Sequence, residues 1–384
     1  MKIAPAWLKH INAQRVLDLL TQAGHEAFFV GGCVRDAVLG REASDIDIAS
    51  SALPESTRDL AEAAGLRVVA TGLSHGTVTV ISDGQPFEVT TFRRDIETDG
   101  RHATVQFTDQ LAEDAARRDF TMNALYADGA GTLVDPTGQG HEDALAGRVR
   151  FVGEPAQRIT EDYLRILRFF RFHAHYGDAN RDLDPEALHA IASHVDGLGQ
   201  VSRERVGAEM RKLLDAPDPA ATLTDMASVG ALEQVLPQPD PSKIKPLIDL
   251  EMTLSVPPEW IRRLAALSPS QDASEALRLS KAEGRALREI QSAALGPDAP
   301  HALGYRLGQK AATDALLLRA ALGREPWPAS ATEQIAQGAG AQFPIRPADL
   351  AEHFSGAALG ETLRQREDAW IASGFRLTRE ELLR

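Results

Sequence analysis

Asp45-Ile46-Asp47-Ile48 alternates acidic and apolar residues with period two, the pattern of a half-buried strand. Residues two apart on a strand share a face, so both carboxylates project together while Ile46 and Ile48 enter the core. Carboxylates held side by side repel unless a cation lies between them. Magnesium, which takes oxygen ligands and binds nucleotide phosphates, is the natural one. Two-metal nucleotidyl transfer uses such a pair to activate a 3′-hydroxyl and stabilise departing pyrophosphate. A lone acidic strand edge facing solvent reads the same way, so the context decides. Upstream stands Val30-Gly31-Gly32-Cys33-Val34-Arg35-Asp36. A strand that ends in two glycines and opens into a helix lets backbone amides approach a phosphate closely. Arg35, one turn in, could reach a triphosphate oxygen with two parallel hydrogen bonds. The dinucleotide spacing G-x-G-x-x-G is absent, and a tight turn with a surface Arg is the plain alternative.

A second constellation lies on a predicted helix, residues 160–176 (TEDYLRILRFFRFHAHY). Asp162, Arg165, Arg168 and Arg171 recur every third residue, along one drifting face. Asp and Arg present acceptor and donor edges in one plane, as base pairing does. An intrahelical Asp–Arg salt bridge on a solvated face is the competing reading. Three arginines among Leu, Ile and Phe, with no acid interleaved after Asp162, argue against simple solvation. His75 and His102 have no partner at metal-ligand spacing, and His75 reads as a hydrogen-bonding loop residue.

These residues need elements to hold them. Residues 6–23 read as an amphipathic helix ended by Gly24. Ala27-Phe28-Phe29-Val30 reads as a buried strand, and Cys33 to Leu39 as a helix. Thr77–Ser82 and Pro86–Phe92 flank Asp83-Gly84, a strong hairpin signal. Beyond residue 155 the periods are helical, over 160–176, 183–196, 202–215 and 219–236, with Pro-rich breaks between. After 240 there is packing periodicity and no recognisable chemistry. The expected class is α+β: residues 1–25 an N-terminal helix, 26–150 a mixed head, 151–215 a helical neck, and 216–384 a helical body and tail.

Composition narrows the class without choosing a function. The chain has 384 residues, 41 Lys and Arg against 55 Asp and Glu, and a net charge of −14. With 7 Lys against 34 Arg, the arginine excess reads as coding bias rather than phosphate binding. One cysteine, Cys33, excludes a disulfide framework or a Cys-based zinc site and fits a reducing, cytoplasmic compartment. No apolar run reaches the ~18–20 residues of a membrane span. The start, MKIAPAWLKHINAQ, lacks a signal peptide's apolar core.

Six motifs occur in order: Gly-Gly-x-Val-Arg-Asp, Asp45-x-Asp47, HGTVTV (75–80) to FEVTTFRRD (87–95), RRDFTMNAL (117–125), DPTG (135–138) and EDYLRILRFFRF (161–172). Together they resemble the class II tRNA nucleotidyltransferases, the family of CCA-adding enzymes and bacterial poly(A) polymerases within the DNA polymerase β-like superfamily. The likeness runs from about residue 27 to about 215. It implies a polymerase β-like head with a small mixed sheet, followed by helical neck and body. It implies CCA addition to tRNA 3′ ends from CTP and ATP, with Mg²⁺ as cofactor and the tRNA acceptor arm as partner. Asp45 and Asp47 would hold the catalytic metal. Gly31, Gly32 and Arg35 would meet the triphosphate, Arg118 the nucleotide, and Asn123 its ribose, with Asp119 assisting or capping a helix. Asp162 and Arg165 would template the base, and Arg168 and Arg171 would bind nucleotide. Glu88 and Glu161 are supporting candidates, with Glu88 either touching metal or only bracing the site. Val201–Val206 with Glu209 matches the neck motif that supports the template helix. Residues 93–107 fall where the family has a flexible loop, in which Arg101 and His102 would move.

Rival readings are poly(A) polymerase, CC-only or A-only addition, and a catalytically silent tRNA-binding protein. Poly(A) polymerases carry a basic C-terminal extension, whereas residues 360–384 hold 5 Arg, 5 acids and no Lys. A silent scaffold would have lost a carboxylate of the Asp pair. The predicted charge layout is a basic channel on an acidic surface, with 22 acids and 14 bases over residues 1–150.

Overall fold

Ala27–Val30 forms β1, buried on both faces, and Gly31 turns the chain into α2, Gly32–Val38, after the first long helix α1, Ile11–Gln22. The computed structural model describes residues 1–43, 45–72, 76–99, 102–178 and 183–384. They divide into two units, Met1–Leu213 with Ala221–Val235, and Leu214–Ala220 with Leu236–Arg384.

The first unit is built on a seven-stranded sheet of order β3-β4-β5-β2-β1-β8-β9. The remaining strands are β2 (Asp47–Ser50), β3 (Arg67–Gly72), β4 (Thr77–Ser82), β5 (Gln85–Thr91), β8 (Tyr126–Ala127) and β9 (Leu133–Val134). Every neighbouring pair is antiparallel except β2 and β5, which run parallel. That single parallel pair follows from α3, Pro54–Ala63, which carries the chain back across the sheet before β3. The β4–β5 hairpin turns at Asp83 and Gly84 with φ of 49° and 79°, the positive-φ pair a two-residue hairpin loop requires.

Three sequence expectations change. The predicted helix over 6–23 is a short 3₁₀ turn, Ala6–Lys9, then α1, because His10 is extended. The Asp45–Ile48 strand begins only at Asp47. The stretch expected as a loop, 93–107, pairs as a two-stranded ribbon, β6 (Arg93–Asp99) with β7 (His102–Phe107), where backbone pairing satisfies groups a loop would leave to water. His75 and Arg101 lie outside the described residues.

Helices α4 (Leu111–Ala116), α5 (Gly140–Leu145), α6 (Pro155–Glu161), α7 (Leu164–Tyr176), α8 (Pro185–His194) and α9 (Arg203–Leu214) follow. Helix α7 buries Leu164, Ile166, Leu167, Phe169, Phe170 and Phe172. Phe169 and Phe172 pack on Phe120, with ring centroids 6.3 and 5.0 Å away, and Phe169 stacks on Phe151 at 5.7 Å. Each such ring buried contributes about 1.5–3 kcal/mol, which fixes the helix against the head and leaves Arg165, Arg168 and Arg171 on its other face.

The second unit is helical. Arg262 and Arg263 are among its largest fully buried side chains. Both bond Glu251, at 2.9 and 2.7 Å, and Arg263 also donates to the carbonyl oxygens of Leu214 and Ala216. Buried charge of this kind is tolerated only when every donor finds a partner. No described helix is long and apolar enough to cross a membrane.

Candidate active site

The register of the parallel pair sets Asp47 beside Glu88, and that of β4 with β5 sets Glu88 beside Thr79. Asp45, exposed just before β2, joins them in lining one cleft of about 580 Å³. Burial first, then the Glu88 carboxylate, pushes the Asp47 carboxyl up to about 6; Arg118 opposes the rise and Asp45 adds to it. Negative charge is therefore concentrated where water is partly excluded. Among the described residues no group of three or more His, Cys, Asp or Glu side chains forms a ready-made metal cage. The donors at the cleft are carboxylate oxygens, which suit a hard cation that completes its shell with water and substrate phosphate. Cys33, buried beneath, is pushed up to about 12 by burial and stays a neutral thiol, its Sγ 3.4 Å from the Val30 carbonyl. His10 also lines the cleft, and its Nδ1 is buried with no hydrogen-bond partner. Spacing could not reveal His10, because it reaches the cleft from the start of α1.

Gly31 adopts φ 73° and ψ −122°, a conformation essentially closed to other residues. A Cβ there would lie 3.4 Å from Arg118 Nη1. The turn thus brings the backbone and Arg118 together at the head of α2. Arg35 behaves differently from the sequence expectation. It is 5% exposed, and its guanidinium donates to Asp36, to Asn123 Oδ1 at 2.7 Å and to the Tyr176 hydroxyl at 2.7 Å. The surface arginine of the plain reading is equally absent.

Arg118 donates to Asp114 Oδ2 at 3.0 Å and to the Tyr126 hydroxyl at 2.9 Å, and that hydroxyl donates to Asp114 at 2.7 Å. Asp119 accepts from Asn123 Nδ2 at 3.0 Å, from the Phe120 N–H at 2.8 Å, and from Arg168 Nε at 2.9 Å. Burial alone would raise the Asp119 carboxyl; Arg168 and the hydrogen bonds outweigh it and hold it below the usual carboxylate range. Its carboxylate is an ion-pair partner rather than a helix cap, since the 3₁₀ turn Thr121–Asn123 has no side-chain cap.

The continuous helix expected over 160–176 is broken. Asp162 is extended, with φ −157° and ψ 105°, and separates α6 from α7. Its Oδ1 accepts the Leu164 N–H at 3.1 Å, a local bond that competes with helix continuation. Its Oδ2 accepts from Arg205 Nη2 at 2.6 Å. Arg165 instead donates to Glu161 and to the Arg158 carbonyl, the latter at 2.7 Å. The intrahelical Asp162–Arg165 pair is thus replaced by Asp162–Arg205, 43 residues apart, and the local i,i+4 pair Arg165–Glu161. Arg171 donates to buried Glu209 at 2.6 Å, so the neck motif does carry this helix's arginine face. Arg205, Asp114, Tyr126 and Tyr176 were given no role by sequence reading, although Arg205 sits inside the neck motif and Tyr176 closes the predicted helix 160–176.

The site residues thus gather into a carboxylate cleft, a glycine turn and an arginine-rich helix, all within the first unit. Two family models match: the poly A polymerase head domain over residues 27–150, and the probable RNA and SrmB-binding site of polymerase A over 182–243. The human mitochondrial CCA tRNA nucleotidyltransferase 1 is 44% identical over 198 residues, 51% of this chain and 45% of that protein. The CCA-adding enzyme of Levilactobacillus brevis is 42% identical over 220 residues, 57% of this chain and 53% of that protein. The chain therefore spans about half the length of the curated relatives it matches. The Bacillus stearothermophilus CCA-adding enzyme, solved in complex with CTP, superposes with TM-score 0.73 at 28% identity, over 99% of this chain and 96% of that one. Head, arginine helix and neck together make the chain similar to the class II tRNA nucleotidyltransferases, the family of the CCA-adding enzymes and poly(A) polymerases, with the head, residues 27–150, matching the poly A polymerase head domain.

Proposed function

We propose that this chain is a template-independent RNA nucleotidyltransferase that adds CCA to the 3′ end of tRNA from CTP and ATP, in the cytoplasm. The observation that carries the reading is the Asp45, Asp47 and Glu88 cleft, whose Asp47 pairs in register with Val30, the residue before the Gly31 turn. In the reaction the RNA 3′-oxygen forms a bond to the α-phosphorus, the bond between α-phosphorus and bridging oxygen breaks, and pyrophosphate leaves. Asp45 and Asp47 would hold Mg²⁺, with Glu88 keeping their surroundings negative. When bound, the metal would supply Lewis-acid activation of the 3′-hydroxyl and neutralisation of the leaving phosphates.

The protein's own part is positioning. The Gly31 N–H is taken by the Leu125 carbonyl at 3.0 Å, so the Gly32 backbone and Arg118 are the donors offered to phosphate, and Arg118 keeps its charge because Asp114 and Tyr126 brace it. Asn123 would meet the ribose, fixed between Arg35 and Asp119. Arg35 enters this reading as the holder of Asn123, not as a phosphate contact. Asp162 and Arg165 would present acceptor and donor to the base, aimed by Arg205 and Glu161 respectively, while Arg168 and Arg171 supply positive charge alongside. No nucleophilic side chain is needed, in keeping with a cleft of carboxylates.

Purified protein, Mg²⁺ and tRNA lacking its terminal CCA, given CTP, ATP or both, provide the test. Sequenced products ending in CCA support the reading. Products ending in CC, in A alone or in a poly(A) run assign one of the sibling activities instead, and no extension at all rejects nucleotidyl transfer.

A further inference from the structure

Helix α7 ends at Tyr176, four residues beyond Phe172, where the EDYLRILRFFRF motif stops. Its side chain nevertheless meets the head. The Tyr176 hydroxyl accepts from Arg35 Nη2 at 2.7 Å, and the Arg35 guanidinium lies 3.9 Å from the centre of the same ring and 5.3 Å from that of Phe172. Asp36 Oδ1 takes Nε at 3.0 Å and shares Nη2 at 2.9 Å. The remaining arm, Nη1, donates to Asn123 Oδ1 at 2.7 Å. Arg35 is thus a fork with one tine directed at Asn123 and the others anchored.

A carboxamide has two ends of nearly equal shape, and only its neighbours decide which is oxygen and which nitrogen. At Asn123 the decision is double. Arg35 demands an acceptor, and Asp119, 3.0 Å from Nδ2, demands a donor. With both satisfied, Asn123 retains one lone pair on Oδ1 and one hydrogen on Nδ2 for a hydroxyl that both donates and accepts. If Tyr176 loses its hydroxyl, a buried Arg35 N–H loses its acceptor, which is unfavourable enough to move the fork. The anchor for the amide is then lost.

We propose that Tyr176 is a positioning residue for the sugar end of the nucleotide site: by holding Arg35 it fixes the orientation of the Asn123 carboxamide, and so contributes to the choice of ribonucleotide over deoxyribonucleotide. The proposal rests on the reading of Asn123 as the ribose contact. It links the far end of the arginine helix to the sugar, through side chains with no base contact of their own.

The experiment compares kcat and KM for CTP and ATP with those for dCTP and dATP in the wild-type protein, Tyr176→Phe, Asn123→Ala and the double variant. Tyr176→Phe keeps the ring and removes only the acceptor. The expected result is a ribo-over-deoxyribo preference about 5- to 10-fold smaller, carried mainly by a higher KM for the ribonucleotides, the size of one neutral hydrogen bond. Asn123→Ala should lower the preference at least as much, and the double variant no further than Asn123→Ala alone. The preference is a ratio measured on one preparation, so an unfolded fraction cancels. A preference unchanged by Tyr176→Phe but lowered by Asn123→Ala overturns the proposal. So do additive losses in the double variant. A preference unchanged in both single variants removes the sugar-contact reading itself.

Discussion

Asp162 gives its carboxylate to Arg205, 43 residues away, at 2.6 Å, while Arg165 in the next helical turn bonds Glu161. Each member of the proposed base-reading pair is therefore aimed by a different partner. Removing the Arg205 guanidinium releases Oδ2 of Asp162 and leaves the carboxylate tied through Oδ1 to the Leu164 N–H. Arg205→Ala should reduce discrimination of CTP and ATP against UTP and GTP by about 10- to 100-fold, the range of a hydrogen bond to a charged group. Misincorporation measured with each nucleotide alone checks this; unchanged fidelity would show that Asp162 is oriented without Arg205.

Arg165 carries a separate expectation. It lies against the base in the proposed arrangement, not against the triphosphate. Arg165→Ala should damage selection among the four bases more than the KM for any one of them. If selectivity survives intact, Arg165 is a structural partner of Glu161 and no more.

Asp45→Ala and Asp47→Ala each remove an oxygen ligand from the cleft. Incorporation of C and of A should fall together by at least about 10³-fold, since both would use one metal site. Circular dichroism should stay that of the wild type, because Asp45 is exposed and Asp47 opens its strand. Appreciable activity in either variant would sink the metal assignment.

Much of this site was legible from local spacing. The glycine turn, the Asp pair and the arginine face of α7 each occupy one stretch of chain, and their geometry follows from period two or period three. What stayed hidden lies between stretches. The parallel register that sets Glu88 beside Asp47 depends on a crossover, which no local pattern encodes. The break at Asp162 depends on a side chain bonding its own backbone and on a partner in α9. Arg35 read as a triphosphate contact, or plainly as a surface arginine, because Tyr176 and Asn123, which bury it, are 141 and 88 residues away. In the second unit, where the sequence offered only packing periodicity, the buried ion pairs of Arg262 and Arg263 with Glu251 and Asp314 join residues 11 to 52 positions apart, which no local pattern encodes.

Acid should weaken the first unit through Asp114. Burial would raise this carboxyl, but Arg118, Arg117 and the Tyr126 hydroxyl hold it below the usual carboxylate range. Below about pH 4 the unfolded chain then binds a proton that the folded chain refuses. Stability from Asp114 is therefore present above that pH and lost as pH falls through the lower, folded value. Asp114→Asn should cost about 3 kcal/mol near neutrality, because two arginines lose their counter-charge. It should also flatten the acid limb of a urea-unfolding series. An acid limb as steep as that of the wild type would assign the loss to other carboxylates.

Gly31 and Gly24 separate backbone strain from function. Both have positive φ, 73° and 89°. A Cβ on Gly24 meets nothing within 4 Å, whereas one on Gly31 lies 3.4 Å from Arg118 Nη1. Replacing Gly24 with alanine costs about 1–2 kcal/mol of conformational strain, and replacing Gly31, whose ψ of −122° lies outside the left-handed helical well, costs more, so both variants should melt early and Gly31→Ala the earlier of the two. Only Gly31→Ala also sets a methyl in contact with the arginine proposed to meet phosphate and withdraws the open approach to the backbone. Its KM for CTP and ATP should rise about tenfold or more, with Gly24→Ala near the wild type at a temperature where both are folded. Equal KM values in the two variants would mean that the glycine turn serves the fold alone, and that phosphate is held elsewhere in the cleft.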